Sequence, residues 1–252
     1  MNHRGPTPPE LEVATIAAHL EGLEETIISR LIERAQFHLN ERVYRPGESG
    51  FTGEELLSLF HVRLLYQERM DGRFGRFCAP EERPFFRDLP EPQRTVILPD
   101  TGLAVDNFDC VNMTGSIVDA YLALLPRVCR AGDDGHYGSS TEHDVYAVQA
   151  IARRIHYGSL YVAESKFLDA PEVFSGLAAA GDESAIIARL TRREVEERIV
   201  QRIREKAATM QATVNPGVRQ LIDPEVLAEF YRETIVPMTK RGEAMYLMNR
   251  RR

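Results

Sequence analysis

Two adjacent arginines and a lysine stand in one predicted helix, where they could hold an anion. Arg153 and Arg154 lie in the middle of a stretch that reads as helical over 141–167, and Lys166 lies near its end. Apolar side chains surround these cations on most faces and indicate a buried helix: Ile151, Ile155, Tyr157, Leu160, Val162 and Phe167. A buried cation is costly unless a negative group meets it. The pattern therefore favours an anion-binding helix, with a solvated charged face as the alternative.

Carboxyl and hydroxyl groups on two further predicted helices could complete such a site. Glu196 lies in a charged helix predicted over 192–210. Thr239 and Glu243 are four residues apart and therefore share one face of the last helix. Cations, carboxyls and a hydroxyl from different helices would suit a small polar dianion. Each residue also has a structural alternative: Glu196 as a surface ion-pair partner, Thr239 as a hydroxyl bonded within its helix, and Glu243 as a solvated group.

The elements that must position these residues are predicted to be helices. Apolar residues recur every three or four positions over 9–37, which indicates an amphipathic helix. Thr52 and Glu55 read as the capping box of a second helix, and a proline-rich irregular region follows over 71–100. Further helices are predicted for 107–125, 141–167, 170–181, 183–190, 192–210 and 224–247, the last kinked at Pro237. Because no alternating strand pattern stands out, the predicted fold is all-α, a single-domain multi-helix bundle with a long central helix.

Length and charge exclude several function classes. The 252 residues carry a net charge of −7, so no basic surplus is available for a nucleic-acid partner. No apolar run reaches the roughly 18 residues needed to cross a membrane. Three scattered cysteines lack metal-type spacing and fit a reducing compartment. We therefore expect a cytoplasmic protein with no metal site, a disordered or extended N-terminus over 1–8, and a helical domain over 9–252.

Several segments, taken in order, resemble the all-α chorismate mutases of fungi and plants. The matching segments are 24–28 and 31–34 in the first helix, Phe77 with 80–82 and 84–86 in the proline-rich loop, 132–134, 137–139, Asp144 and 153–158 around the long helix, and 223–224, 235–237 and 239–240 in the last helix. Together they cover nearly the whole chain. The resemblance implies a homodimeric isomerase that converts chorismate to prephenate without a cofactor, in aromatic amino-acid biosynthesis or related secondary metabolism.

The same resemblance implies a role for each candidate residue. Arg154 would pair with a substrate carboxylate, and Lys166 would contact the ether oxygen. Glu243, if protonated, would donate to the same oxygen, so activity would be favoured at lower pH. Glu196 would hold the substrate hydroxyl, and Thr239 would assist the second carboxylate.

Two positions depart from the family pattern in charge. Ala17 stands where the first helix of the family carries a substrate-binding arginine, and Arg192 stands where asparagine is usual. Losing one charge-assisted contact to a buried carboxylate costs about 2–5 kcal/mol. We hypothesise that Arg192 supplies the missing cation, and Arg153 is a second candidate for substrate binding.

A third departure changes the register of the long helix. The stretch after Gly158 contains one residue more than the family pattern, so Arg154 and Lys166 are twelve residues apart. In an ideal α-helix this spacing places them about 120° off a common face. Either a π-bulge near Gly158 restores the register, or the pocket is altered.

The resemblance also implies an effector site at the dimer interface of fungal members. Arg76, Gly138 and Ser139 match residues of that site. Three other positions depart from it: His136, Glu142 and Asp223. We therefore expect weak or absent control by tyrosine and tryptophan.

Two other functions stay open. The scaffold could have diverged toward a related rearrangement of another dianionic or polyketide-like substrate, as Ala17 and the extra residue after Gly158 suggest. Alternatively, the chain could be a non-catalytic protein of the same fold that binds a partner, since fold alone does not decide function. A chorismate assay beside a substrate panel separates the three readings.

Overall fold

Ten α-helices account for most of the computed structural model, which describes residues 9–251. They are α1 (Val13–Arg34), α2 (Leu59–Phe74), α3 (Thr114–Val128), α4 (Tyr137–Tyr157), α5 (Ala163–Asp169), α6 (Pro171–Ala179), α7 (Glu183–Leu190), α8 (Arg193–Gln211), α9 (Pro224–Phe230) and α10 (Val236–Asn249). Short 3₁₀ turns lie at Pro9–Leu11, Glu41–Tyr44, Arg76–Cys78 and Phe108–Val111, and π-helical turns at Gly158–Val162 and Tyr231–Ile235.

The predicted all-α class is confirmed. Within residues 9–251 the only β-type pairing is an isolated bridge between His38 and Arg130. No helix in that range is both long and apolar enough to cross a membrane. The N-terminal segment predicted to be disordered or extended, residues 1–8, lies outside the described residues, and the division at residue 9 stays a prediction.

The main core lies between α1 and α4. Ile27, Ile28 and Leu31 of α1 are fully buried, as are Val148 and Ile155 of α4. Their spacing of three, four and seven residues places each set on one helix face, so the two helices pack along their lengths. The core therefore fixes α4, which carries Arg153 and Arg154, against the first helix.

A second core packs around the turn that follows α4. Leu160 and Tyr161 of the Gly158–Val162 turn share it with Tyr246 and Leu247 of α10. Among the described elements, this turn makes the most extensive contact with α10. The last helix is thereby held against the point where the long helix changes its pitch.

The π-helical turn settles the register of the long helix. An i→i+5 turn accommodates one extra residue, so the helix resumes in α5 with its earlier face restored. Arg154 and Lys166 are then equivalent to about eleven α-helical positions, roughly 20° from a common face. Of the two alternatives from the sequence, the structure shows the π-bulge.

The predicted start of the second helix is wrong. Residues 52–58 form turns, and α2 begins directly after Ser58, whose Oγ accepts a hydrogen bond from the backbone N of His61. Glu55 accepts from the backbone N of Gly53 instead of closing a capping box with Thr52. Gly53 takes a positive φ of 90°, which breaks the helix there. Ser58, a strong N-cap residue, supplies the true start.

Pro224 opens α9 at the first helical position, as predicted from the sequence. The interruption expected at Pro237 begins one turn earlier, as the π-helical turn Tyr231–Ile235. Proline has no N–H to donate to the carbonyl four residues before it, here that of Glu233, so the regular ladder cannot pass through this point. The helix resumes as α10 with Pro237 in its first turn.

Candidate active site

Arg154 is the centre of the candidate site. Its side chain is buried, with 3% of the residue exposed. Within residues 9–251, its Nε and NH1 atoms are buried without a hydrogen-bond partner. Buried polar atoms in native proteins are nearly always paired, and an unpaired guanidinium is among the most costly exceptions. The arrangement therefore calls for an anionic ligand.

Lys166 and Glu243 face each other beside this arginine. Lys166 Nζ lies 2.9 Å from Glu243 Oε2 and 3.3 Å from the carbonyl oxygen of Leu190. Glu243 is buried, and this burial raises the pKa of its carboxyl, while Lys166, Arg154 and Lys240 oppose the rise. The carboxyl is therefore more easily protonated than an ordinary glutamate, which a hydrogen-bond donor in this position requires.

Glu196 joins the cluster through a lysine that the sequence analysis did not assign to the site. Lys240 Nζ lies 3.0 Å from Glu196 Oε1 and 3.2 Å from Oε2, and 3.4 Å from Thr191 Oγ1. The ion pair connects α8 to α10, so Glu196 is not a partner within its own helix. The sequence offered one indication that Lys240 belongs to the site, namely that it directly follows Thr239.

Thr239 is buried in α10 beside Gly158. Its hydroxyl donates to the carbonyl oxygen of Ile235 at 2.7 Å, which is the structural alternative stated for this residue. Its Cγ2 packs so close to Gly158 that a Cβ built there would lie 2.6 Å away. The same Cβ would lie 3.1 Å from Arg154 NH1, so Thr239 and Arg154 meet across this glycine.

The charges of the cluster match a dianion. Three cations, Arg154, Lys166 and Lys240, face two carboxyls, Glu196 and Glu243. With Glu243 protonated, the cluster carries two net positive charges. Among the described residues, no group of His, Cys, Asp or Glu side chains is arranged to hold a metal ion.

The two arginines proposed as further substrate contacts are both exposed. Arg153 is exposed and pairs with Glu81 at 3.5 Å and Glu82 at 3.4 Å in the proline-rich loop. Arg192 is exposed at the residue before α8, four residues before Glu196. The structure does not bring Arg153 into contact with the buried cations, and the role of Arg192 stays a prediction.

The first helix borders the site through apolar atoms. Leu20 Cδ2 lies 3.7 Å from the position of a Cβ on Gly158. Ala17 lies one turn earlier on α1 and is exposed, so a longer side chain has room there. The resemblance implies a cation at position 17, and this chain carries alanine there.

Tyr231 is a buried polar group that the sequence analysis missed. Its hydroxyl has no hydrogen-bond partner within the described range, and only 1% of the residue is exposed. Burial raises the pKa of Tyr231, while Arg154 lowers it, so the hydroxyl stays protonated next to the unpaired guanidinium. Its place in a π-helical turn could not be read from the sequence.

The residues matched to an effector site lie elsewhere. Arg76 is fully engaged, donating to Asp71 at 2.9 Å, to Glu82 at 3.0 Å and to Gln149 at 2.7 Å. Gly138 and Ser139 are exposed in the first turn of α4.

Comparisons with known proteins identify the scaffold. No family model matches the chain. The chorismate mutase of Emericella nidulans is 35% identical over 95% of this chain and 92% of its own length, and that of Schizosaccharomyces pombe is 34% identical over 96% and 97%. The chain belongs to the chorismate mutase family.

Solved chorismate mutases share the fold of this family member. The Candida albicans enzyme, solved in complex with L-Trp, has a TM-score of 0.88 at 32% identity and covers 96% of this chain and 92% of its own. The chloroplast enzyme of Zea mays has a TM-score of 0.82 at 33% identity over 97% of both chains. The predicted resemblance, the all-α class and the assignment to the chorismate mutase isomerases are confirmed.

Proposed function

We propose that the cluster around Arg154 rearranges chorismate to prephenate. The main support is the guanidinium of Arg154, whose Nε and NH1 atoms are buried and have no hydrogen-bond partner in the described part of the chain. A carboxylate ligand would stabilise this cation by accepting from both donor atoms. The reaction is a unimolecular Claisen rearrangement, so the protein has only to hold the substrate in its reactive shape and stabilise the charge that develops on the ether oxygen.

Each side chain of the cluster has one task in this proposal. Arg154 donates to one substrate carboxylate. The Thr239 hydroxyl assists the other by turning away from the carbonyl oxygen of Ile235, to which it donates in this structure. Lys166 Nζ and Glu243 Oε2 are 2.9 Å apart, so an ether oxygen seated against both would accept from the ammonium and from the protonated carboxyl. Glu196, held by Lys240, accepts from the substrate hydroxyl.

Chorismate consumption by the purified chain, followed together with prephenate formation, tests the proposal. Lys166→Ala removes a donor to the developing oxyanion and should lower kcat about 10²–10³-fold. Arg189→Ala, which removes an exposed cation of α7, serves as the control and should change little. Turnover that survives Lys166→Ala would contradict the assigned role of the ammonium.

The first-helix departure supports one alternative substrate class. Ala17 leaves the cluster without a cation from α1, so a diverged rearrangement of another dianion is the second candidate. A panel of cyclic dicarboxylates run beside chorismate tests it. Turnover of a panel member in the absence of chorismate turnover would favour this second function.

We also propose that the enzyme is a homodimer. Tyr66, Met70 and Phe74 recur every four residues on α2 and are 49%, 48% and 66% exposed, which makes an apolar stripe on one helix face. Such a stripe is typical of a surface that a second copy covers. Sedimentation velocity of Met70→Glu should show monomers, whereas Val218→Glu, on an exposed apolar residue of the α8–α9 connector, should leave the assembly intact.

We further propose that the enzyme is cytoplasmic and acts in aromatic amino-acid biosynthesis or in related secondary metabolism. The three cysteines are all free, which fits a reducing compartment. Control by aromatic amino acids is proposed to be weak, because Arg76 is already bound by Asp71, Glu82 and Gln149. A large shift of mutase activity with micromolar tyrosine would contradict this.

A further inference from the structure

α10 crosses the π-helical turn at two glycines. Gly158 lies in the turn and Gly242 lies in α10. A Cβ added to Gly242 would meet the Oγ of Ser159 and would lie 2.6 Å from its Cβ, whereas ordinary contacts begin at 3.4 Å. A Cβ added to Gly158 would lie 2.6 Å from Thr239 Cγ2. The missing side chain of Gly242 therefore leaves a notch in α10 that receives Ser159, and that of Gly158 leaves a notch in the turn that receives Thr239.

Ser159 occupies the Gly242 notch because of the π-helical turn. The turn includes the extra residue and places Ser159, which is fully buried, toward α10. Its Oγ donates to the carbonyl oxygen of Ile155 at 2.8 Å and approaches that of Thr239 at 3.4 Å. Rotation of the side chain cannot relieve the contact, since its Cβ is fixed to the backbone.

The notch lies between the groups that carry the proposed chemistry. Glu243 directly follows Gly242 in α10, and Lys166 follows the π-helical turn in α5. The distance between α10 and the turn therefore sets the distance between Glu243 and Lys166, which is 2.9 Å between Oε2 and Nζ.

We propose that Gly242 is a positioning residue of the mutase site, which seats Ser159 and so lets α10 approach until Glu243 meets Lys166. The inference rests on the proposed function, because the chemistry it serves is that of the Lys166–Glu243 pair. It also explains how a chain with one extra residue in its central helix keeps a paired site: the insertion is matched by a missing side chain on the facing helix.

Gly242→Ala tests the proposal, with Gly176→Ala as the matched control. Gly176 lies in α6, where an added Cβ meets no atom of residues 9–251 within 4 Å, so alanine there should raise Tm through its better helix propensity. At Gly242 the same substitution should lower Tm and reduce kcat/KM about 100-fold, because the two segments must separate from 2.6 Å to ordinary contact distance.

Ser159→Gly/Gly242→Ala provides the rescue. It removes the Cβ and Oγ that the new methyl would strike, and the next nearest atom is the flexible Met113 Cε, 3.3 Å from the new Cβ. Adding Gly242→Ala to Ser159→Gly should therefore lower kcat/KM and Tm much less than adding it to the unaltered chain. This comparison holds even if Gly242→Ala alone does not fold, since the double variant then regains the fold.

The pH profile separates positioning from a general loss of stability. Lys166, Arg154 and Lys240 are the cations that face Glu243, and each opposes the rise in its pKa. Moving α10 away from Lys166 weakens this opposition, so the alkaline limb of kcat/KM should shift to higher pH in Gly242→Ala. If Gly242 had a purely structural role, Gly242→Ala would lower Tm without shifting the alkaline limb of the kcat/KM profile.

The outcomes distinguish this inference from the function on which it rests. An unaltered chain that does not turn over chorismate would overturn both. An active unaltered chain with an equally active Gly242→Ala variant, or a double variant as impaired as Gly242→Ala, would overturn the positioning role alone. A lower rate, a shifted limb and rescue by Ser159→Gly would establish it.

Discussion

Two buried arginines, one on α1 and one on the central helix α4, differ in the groups that surround their charge. Arg34 of α1 is fully buried, and all three guanidinium nitrogens have partners. Its acceptors are Asp144, the carbonyls of Phe37, His38 and Leu39, the Tyr44 hydroxyl and the Cys129 sulfur. Arg154 of α4 is 3% exposed, and its Nε and NH1 atoms have no hydrogen-bond partner among residues 9–251.

The difference separates a charge with a structural role from one that we propose binds a ligand. Burial opposes the charge of Arg34, yet Asp144 raises its pKa above the ordinary value, and Tyr44 and Tyr121 donate to the same carboxylate. That cluster needs nothing further. Among the described residues, no carboxylate pairs with Nε or NH1 of Arg154, although the charge of Glu243 interacts with it. We therefore propose that a ligand anion offsets the desolvation of this guanidinium.

The largest expected effect is on turnover. Arg154→Met removes the charge but keeps much of the volume, and kcat/KM for chorismate should fall about 10³-fold, since a buried charge contact to a carboxylate is lost. The urea midpoint should stay constant or rise, because an unpaired buried charge is removed. Arg153→Ala, next to it but exposed, should change kcat/KM by no more than about threefold.

Replacing Arg34 by methionine should have the opposite effect of Arg154→Met, with the main loss in stability instead of turnover. Arg34→Met leaves Asp144 buried without its cation, and the free energy of unfolding should fall by about 3–5 kcal/mol in urea titrations. Arg30→Met, which breaks a partly exposed pair with Glu33, should cost less than about 1 kcal/mol. Equal losses at positions 30 and 34 would remove the distinction between the two clusters.

Adding a cation from the first helix should sharpen the site. Ala17→Arg places a guanidinium on the exposed turn before Leu20, which contacts Gly158. We expect kcat/KM to rise about tenfold, a part of the roughly 2–5 kcal/mol that a charge-assisted contact supplies. Ala18→Arg, rotated by about 100° on the same helix, is the control. Equal effects of the two variants would indicate general electrostatic attraction instead of a specific contact.

The smallest expected effect is a change in pH dependence. Burial raises the pKa of Glu243 above the ordinary 4.5, so the protonated donor persists above that pH and is lost as pH rises through the folded-state value. The unaltered enzyme should therefore lose kcat/KM with rising pH. Glu243→Gln keeps an N–H donor at every pH, and its profile should be flatter on the alkaline side. An unchanged profile would assign the titration to another group.

Helix existence was readable from periodicity, but several boundaries were not. α8 begins and ends one residue later than predicted, whereas α1 lies inside its predicted range of 9–37. Both helices could be found because their apolar faces repeat every three or four residues. The start of α2 was misplaced because Thr52 and Ser58 are both good cap residues, and only the backbone shows which one accepts a bond from the helix. Local propensity does not choose between two adequate caps.

The candidate site was partly readable in the same way. Arg154, Lys166 and Glu243 stood out as charges on apolar helices, and the structure brings them together. Lys240 and Tyr231 did not stand out, because their significance depends on which helix faces them. Lys240 reads as an ordinary exposed lysine until α8 brings Glu196 within 3.0 Å.

The order of charged and apolar residues alone determined the helical class, since this follows from periodicity, and the matching segments carried the resemblance to the family. Tertiary packing decided which buried arginine is paired, how the helix accommodates one extra residue at Gly158, and how closely α10 approaches the π-helical turn. These are distances between segments far apart in the chain, here Arg34 to Asp144 and Ser159 to Gly242. Such distances depend on how whole helices pack, which local sequence does not encode.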